Sequence, residues 1–484
     1  MSISMHAVGG TMNAPTPESS RHLAELDTVF NRQRDAARLS PNPSLGERSA
    51  HLDALYRLLV ENIDAIAEAI SSDFGHRSVH ETKLLEFFPS IQGVRHAKSR
   101  LAKWMRPERK PVSMWFLPGT AKVIKQPLGV VGVIVPWNYP LYLAIGPLVS
   151  ALAAGNRVMI KMSEFTPQFG HLLAQLMGKY LPPEQVVVLN GGVEIAQAFA
   201  GKPFDHLLFT GSTAVGRHVM HAAAGNLTPV TLELGGKSPA IVAPDFPIDI
   251  ATRRIMLGKC LNAGQTCIAP DYVFVHESQV QRFIDVASDE VKRLYPHVPT
   301  SPDYTAIINE RHYQRLQDYL EDAQAQQAQV FPLGQSSHDQ RKLAPTLITG
   351  VSDRMRVMQD EIFGPLLPIM SYKTLDEVLD YVVNHPRPLA LYYFDHNGSR
   401  VERVLNETIA GGVTINDVIF HIAQDELPFG GVGPSGMGHY HGEEGFNTFS
   451  KRKGVFMQSH INGGWMLKPP FGGRINRMLK FMLR

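Results

Sequence analysis

The stretch Asn262-Ala-Gly-Gln-Thr-Cys267-Ile-Ala-Pro270 holds one of only two cysteines in the chain. A small, turn-forming Asn-Ala-Gly precedes the thiol and a proline follows it. That setting suits a sulfur presented at a bend, with backbone N–H groups free to face whatever it attacks. A buried cysteine acting as a small hydrophobe fits the same residues. Glu233, in Thr231-Leu-Glu-Leu-Gly-Gly-Lys-Ser-Pro239, sits between two leucines. Lost solvation there would raise its pKa toward the range of a general base; a hinge glutamate held by backbone N–H groups is the alternative. Asn138, in Pro136-Trp-Asn-Tyr-Pro140, lies in a rigid bend from which its amide could donate to an oxyanion. An ordinary Asx-turn is the alternative, and the commoner reading when the segment stands alone.

Three further segments have the chemistry of a nucleotide site. Gly211-Ser-Thr-Ala-Val-Gly216 follows a predicted strand and opens a predicted helix, where glycine admits a phosphate or sugar to the backbone. Its spacing is not Gly-x-Gly-x-x-Gly, so the usual dinucleotide fingerprint is absent. Lys161-Met-Ser-Glu164 ends another strand and suits ribose hydroxyls, or a plain surface ion pair. Glu361-Ile-Phe-Gly-Pro365 pairs a carboxylate with an aromatic ring, fit for a second ribose and a flat ring, or a satisfied loop.

The elements that must position these residues alternate. Helical spacing runs through Leu52, Leu55, Leu59, Ile63, Ile66 and Ile70, closed by Gly75, and again from Leu84 to about Trp104. Trp115 to Pro127 reads as an extended ribbon with a Pro118-Gly119 turn. Val130-Val-Gly-Val-Ile-Val135 is a strand buried on both faces. Helices and strands alternate from there to Leu232, and a second alternation runs from Ala240 to Phe394. The fold class is α/β: two doubly wound domains, nucleotide-binding at their strand ends, with a small β arm.

At 484 residues the chain exceeds one hydrophobic core. Its 44% hydrophobic and 19% charged residues are those of a globular protein, and a net charge of +2 gives no reason to expect nucleic acid as a partner. Two cysteines make no disulfide framework, which suits a cytoplasmic setting. No apolar run is long enough to span a bilayer, and no metal site is expected.

Taken in order, Pro-Trp-Asn, Lys-x-Ser-Glu, Phe-Thr-Gly-Ser-Thr-x-x-Gly, Glu-Leu-Gly-Gly-Lys, Gln-Thr-Cys and Glu-Ile-Phe-Gly-Pro resemble the NAD(P)-dependent aldehyde dehydrogenase superfamily from about residue 45 to 460. Cys267-Ile-Ala-Pro-Asp-Tyr-Val273, Gly411-Gly-Val-Thr-Ile-Asn-Asp-Val418 and Pro428-Phe-Gly-Gly-Val-Gly-Pro-Ser-Gly-Met-Gly438 resemble its class 3 branch. Within that branch the text is most similar to the bacterial coniferyl aldehyde dehydrogenases; Asp73-Phe-Gly-His-Arg-Ser78 and Met162 point the same way.

The resemblance implies an enzyme that oxidises an aldehyde through a cysteine thiohemiacetal and thioester, with Cys267 as nucleophile, Glu233 as base and Asn138 as oxyanion donor. It implies a cofactor cleft of Trp137, Lys161, Ser163, Glu164, Gly211, Ser212, Gly216, Leu234, Gly235, Glu361 and Phe363. Glu164 favours NAD, with NADP use as in some class 3 relatives. An aromatic aldehyde such as coniferaldehyde is the expected substrate; medium or long-chain aliphatic aldehydes, CoA as acyl acceptor, and a non-catalytic NAD-binding protein are the rival readings. The expected layout is a flexible arm over 1–20, an NAD-binding domain over 21–114 and 130–234, and a catalytic domain over 235–430. A Gly-rich return follows over 431–445, then a tail over 461–484, with 115–129 and 446–460 as an oligomerisation arm pairing a homodimer.

Overall fold

The computed structural model describes residues 17–464 and 468–483, with only the backbone for 17–22. Two parallel sheets carry the molecule, and each is built from the buried apolar runs that the sequence displays. The first contains Val130–Ile134, Arg157–Lys161, Val186–Leu189, His206–Gly211 and Val230–Leu234, all parallel, and the short antiparallel Gly436–Met437. Across the sheet their order is 436, 230, 206, 130, 157, 186 by first residue. Strand order therefore reverses at Val130–Ile134, which opens a crevice at that strand's carboxyl end. Asn138 follows there.

The second sheet runs, by first residue, 329, 346, 366, 272, 239, 390, 412, parallel except for Gln329–Pro332. The two sheets face the site in opposite senses. The first offers carboxyl ends: Lys161, Gly211 and Leu234 each close a strand. The second offers loops entering its amino ends: Gly235 precedes Pro239–Val242, Cys267 precedes Tyr272–His276, and Phe363 precedes Leu366–Tyr372.

A third sheet joins Glu108–Lys110, Thr120–Pro127 and Ser450–Met457, all antiparallel. The ribbon expected from Trp115 is in part a 3-10 turn, Met114–Phe116, and the strand starts at Thr120. The expected strand from Phe446 begins instead at Ser450, because Gly442–Thr448 is a helix whose Phe446 packs on Trp104. The long helix expected before Gly75 is two helices, Leu45–Glu61 and Ile63–Phe74, broken at Asn62. Near the start, a helix over Pro17–Leu39 begins inside the arm expected over 1–20; the remainder of that arm lies outside the described residues.

Candidate active site

The bend before Cys267 is tighter than a simple turn. Three successive residues, Asn262 (φ 51°), Ala263 (φ 51°) and Gly264 (φ 74°), hold left-handed backbone. For the two that are not glycine this costs free energy, and the surroundings must impose it. The Asn262 N–H donates to Glu81 Oε1 (2.6 Å), and its side-chain amide donates to the carbonyls of Asn138 (3.0 Å) and Gln265 (3.1 Å). Gln265 in turn donates to the carbonyls of Asn262 and Ala306 and accepts from the Ile308 N–H. At Gly264 any Cβ would lie 2.2 Å from the Gly364 carbonyl oxygen, so the thiol loop rests directly on the Glu361–Pro365 loop.

Asn138 is 3% exposed. Its amide donates one hydrogen to the Gln265 carbonyl (3.2 Å), which leaves the second for another acceptor. Beneath it lies a buried charge cluster. Arg77 Nη1 donates to Glu86 Oε1 (2.7 Å) and to the Asn138 carbonyl (3.2 Å). Glu86 Oε2 accepts from the N–H groups of Leu141 and Tyr142, capping the helix Tyr142–Ala154 with a carboxylate. Glu86 lies in a single π-turn, Lys83–Phe87, which turns its side chain inward between two α-helical segments. Tyr139 Oη shares a 2.7 Å hydrogen bond with Thr266 Oγ1, next to the thiol.

Glu233 is 3% exposed, and neither carboxylate oxygen has a hydrogen-bond partner among the described residues. Burial raises its pKa well above the ordinary 4.5. Burial likewise pushes Glu361 up to about 8, with nearby Asp271 adding to it. Burial pushes Cys267 up to about 12, reinforced by Glu361 and Glu233 and opposed by the N–H groups of Cys267 and Ile268. Gly235 allows the approach of Glu361, whose Oε2 lies 1.9 Å from where a Cβ would stand.

These groups share one cavity of about 800 Å³. Cys267, Glu233, Asn138, Trp137, Gly211, Ser212, Leu234, Gly235, Glu361 and Phe363 all line it. Lys161 and Ser163 are on or just past the neighbouring strand end, Glu164 is exposed beside them, and Gly216 packs under Leu234 in the first turns of the helix Thr213–Ala224; none of these four lines the cavity.

His312 and Arg315 line the cavity too, and sequence reading missed them. They sit on the outer helix Glu310–Ala325, where no motif marks them. His312 packs on Trp137 (5.3 Å), whose ring meets Phe363 edge-on (5.4 Å). Arg315 holds the carbonyls of Glu361 and Phe363. Phe363 itself has φ 49°, a conformation that these contacts sustain. The cleft fits a dinucleotide: its aromatic walls suit a flat ring, and Glu361 Oε1 is a buried acceptor with no donor among the described residues, a group that a ribose hydroxyl would satisfy.

The chain matches the Aldehyde dehydrogenase family over residues 15–455 and belongs to it. It is an aldehyde dehydrogenase enzyme of the NAD(P)-using kind. It is 54% identical to the probable coniferyl aldehyde dehydrogenase of Pseudomonas aeruginosa, over 96% of this chain and 97% of that one. It is 44% identical to the coniferyl aldehyde dehydrogenase of Pseudomonas sp. strain HR199, over 95% and 96%. Among solved structures, the substrate-bound state of Staphylococcus aureus AldH superposes with a TM-score of 0.90 at 37% identity, covering 94% of this chain and 99% of that one. A Mycobacterium tuberculosis aldehyde dehydrogenase complexed with NAD+ gives 0.83 at 28%, covering 91% of each.

Proposed function

We propose that this enzyme oxidises an aromatic aldehyde of the coniferaldehyde kind to its carboxylate, with Cys267 as nucleophile. The observation that carries the chemistry is the convergence of Cys267, Asn138 and Glu233 on one cleft. Cys267 Sγ adds to the aldehyde carbon after losing its proton. The resulting oxyanion is held by the free hydrogen of the Asn138 amide and the backbone N–H of Cys267. The nicotinamide cofactor, when bound, would supply the acceptor for the hydride that leaves the thiohemiacetal carbon. Glu233 as carboxylate takes a proton from water, which attacks the thioester carbon; the acid leaves and the sulfur is restored. A base in that place supports water rather than CoA as acyl acceptor.

The NAD-binding part is assigned to 21–114 with 130–234, and the catalytic part to 235–430. Glu361 and Phe363 hold the nicotinamide ribose, and Trp137, Gly211, Ser212, Leu234 and Gly235 line the path. Lys161, Ser163 and Glu164 hold the adenosine ribose beyond the cavity, with Gly216 at the helix start. An exposed Glu164 carboxylate at that point repels a 2′-phosphate, so NAD is the preferred cofactor and NADP the lesser one. The similarity to a coniferyl aldehyde dehydrogenase and to two probable coniferyl aldehyde dehydrogenases supports the aromatic substrate. A homodimer joined through the 115–129 and 446–460 arm, in the cytoplasm, completes the proposal. Among the described residues no helix is long and apolar enough to cross a membrane.

A steady-state panel of coniferaldehyde, benzaldehyde, hexanal and a long-chain aldehyde tests the substrate: kcat/KM should be highest for coniferaldehyde, and a maximum at the long-chain aldehyde would overturn it. Cys267→Ala should abolish NADH production while retaining cofactor binding; turnover near wild type would remove the nucleophile.

A further inference from the structure

Glu81 is a buried carboxylate that the mechanism above does not use. It lies in the short helix Val79–Thr82 and is 8% exposed. Its Oε1 meets a segment 181 residues further along the chain, the thiol loop, where it accepts the Asn262 N–H at 2.6 Å. Asn262 and Ala263 are the two non-glycine residues of that loop with left-handed backbone. Such backbone persists only where its surroundings impose it, and the contact from Glu81 falls on its first residue. Asn262 then ties the loop to Asn138: its amide donates to the carbonyls of Asn138 and Gln265, and the Asn138 amide donates to the same Gln265 carbonyl. One carboxylate anchors the entry to a network that ends two residues short of Cys267.

Among the described residues, Arg77 is the cation beside this carboxylate. Its Nε stands 4.0 Å from Glu81 Oε1, while its Nη1 binds Glu86. The other titratable groups that face Glu81 are Tyr139, Cys260, Tyr295 and Tyr304. Burial raises all four, so they stay neutral wherever a carboxylate titrates. Burial pushes Glu81 itself up to about 7, with Arg77 and the Asn262 N–H opposing and Glu86 adding to the rise. An N–H bonded to a carboxylate is held more strongly than one bonded to a neutral acid. The ionised form of Glu81 is therefore the one that grips Asn262.

We propose that Glu81 is a positioning residue for the nucleophile: its carboxylate, through the Asn262 N–H, holds the left-handed turn that presents Cys267. The assignment rests on Cys267 being the reactive thiol and adds what sets its reactivity. Glu81→Gln keeps the shape and an acceptor oxygen but never carries the charge. It should match the wild type where Glu81 is protonated and fall behind where Glu81 is ionised. Glu86 and Glu233 are present in both proteins, so their own titration drops out of the comparison. Damage of a merely structural kind would separate the two proteins by the same factor at every pH.

The measurement is the rate at which iodoacetamide alkylates Cys267 between pH 6 and pH 9, read by mass spectrometry on the peptide that carries it. The ratio of wild type to Glu81→Gln should be within about two-fold at pH 6 and reach about ten-fold at pH 9, the extra strength of a hydrogen bond to a charged group. Its midpoint should lie near pH 7. At pH 8 the variant should lower kcat and leave the dissociation constant of NADH within two-fold. Hydrogen exchange in the wild type needs no variant to fold: protection of the peptide spanning Asn262, corrected for the chemical rate, should rise from pH 6 to pH 8. A ratio independent of pH, or protection that does not change, would overturn this assignment alone. Complete alkylation of Cys267 with activity retained would overturn it together with the nucleophile.

Discussion

Burial raises the pKa of both Cys267 and Glu233 and so favours the protonated form of each. In the proposed mechanism each must lose a proton to work. Raising pH populates the thiolate and the carboxylate, so kcat/KM should climb from pH 6 to pH 10. A flat profile across that range would mean that neither ionisation limits the reaction. Glu233 also carries a stability cost. Its folded pKa lies above its unfolded value near 4.5, so the folded state binds the extra proton and stability declines as pH rises through that window. Glu233→Gln should therefore raise the melting temperature at pH 8 while slowing deacylation, visible as an NADH burst before slow turnover. A lower Tm for the variant would contradict the burial account. At this scale the sequence was informative about identity: turn residues and a following proline set Cys267 apart from Cys260, which the structure buries inside the helix Ile248–Cys260. It gave Arg77 only as part of a motif and was silent on its partner Glu86, because a pair nine residues apart meets only through a π-turn that no periodicity announces.

The elements matter because Asn138, the proposed oxyanion donor, is held from below. Arg77, Glu86 and the capped helix start fix Asn138 through its carbonyl, and Asn262 ties the same carbonyl to the thiol loop. Removing one partner of a buried ion pair strands the other, at a cost of about 3–5 kcal/mol. Arg77→Leu should show that loss in urea unfolding. Glu86→Gln keeps the shape and should lower kcat more than it raises KM for the cofactor. Wild-type stability for Arg77→Leu would show that the cluster holds nothing. The strand and helix alternation from Val130 to Leu234 was readable since short, largely buried apolar runs of four to six residues separated by helical spacing have few other uses. Gln329–Pro332 and Thr346–Thr349 escaped because they are short and polar-mixed, and only pairing with each other and with Leu366–Tyr372 makes them strands.

On the scale of the whole molecule, the β arm leaves large apolar side chains in water. Trp115 is 46% exposed and meets Phe481, and Phe116 is 51% exposed and meets Phe456. Patches of this kind call for a cover, and a second copy of the chain is the occupant that the arm proposal supplies. Phe116→Glu should shift the mass seen by light scattering from dimer to monomer; an unchanged mass would place the contact elsewhere. The free edge of the arm, Ser450–Met457, carries Lys451, Arg452 and Lys453, charges that discourage indiscriminate strand pairing.

The strand Gly436–Met437 comes from near the end of the chain, yet it lies against the strand of Glu233, and the Leu234 N–H donates to the Ser435 carbonyl. During synthesis, the ribosome must complete the intervening two hundred or so residues before that border of the sheet can be sealed. A nascent product arrested short of Ser435 would leave the sheet margin beside Glu233 unpaired, next to a thiol loop whose residues are already made.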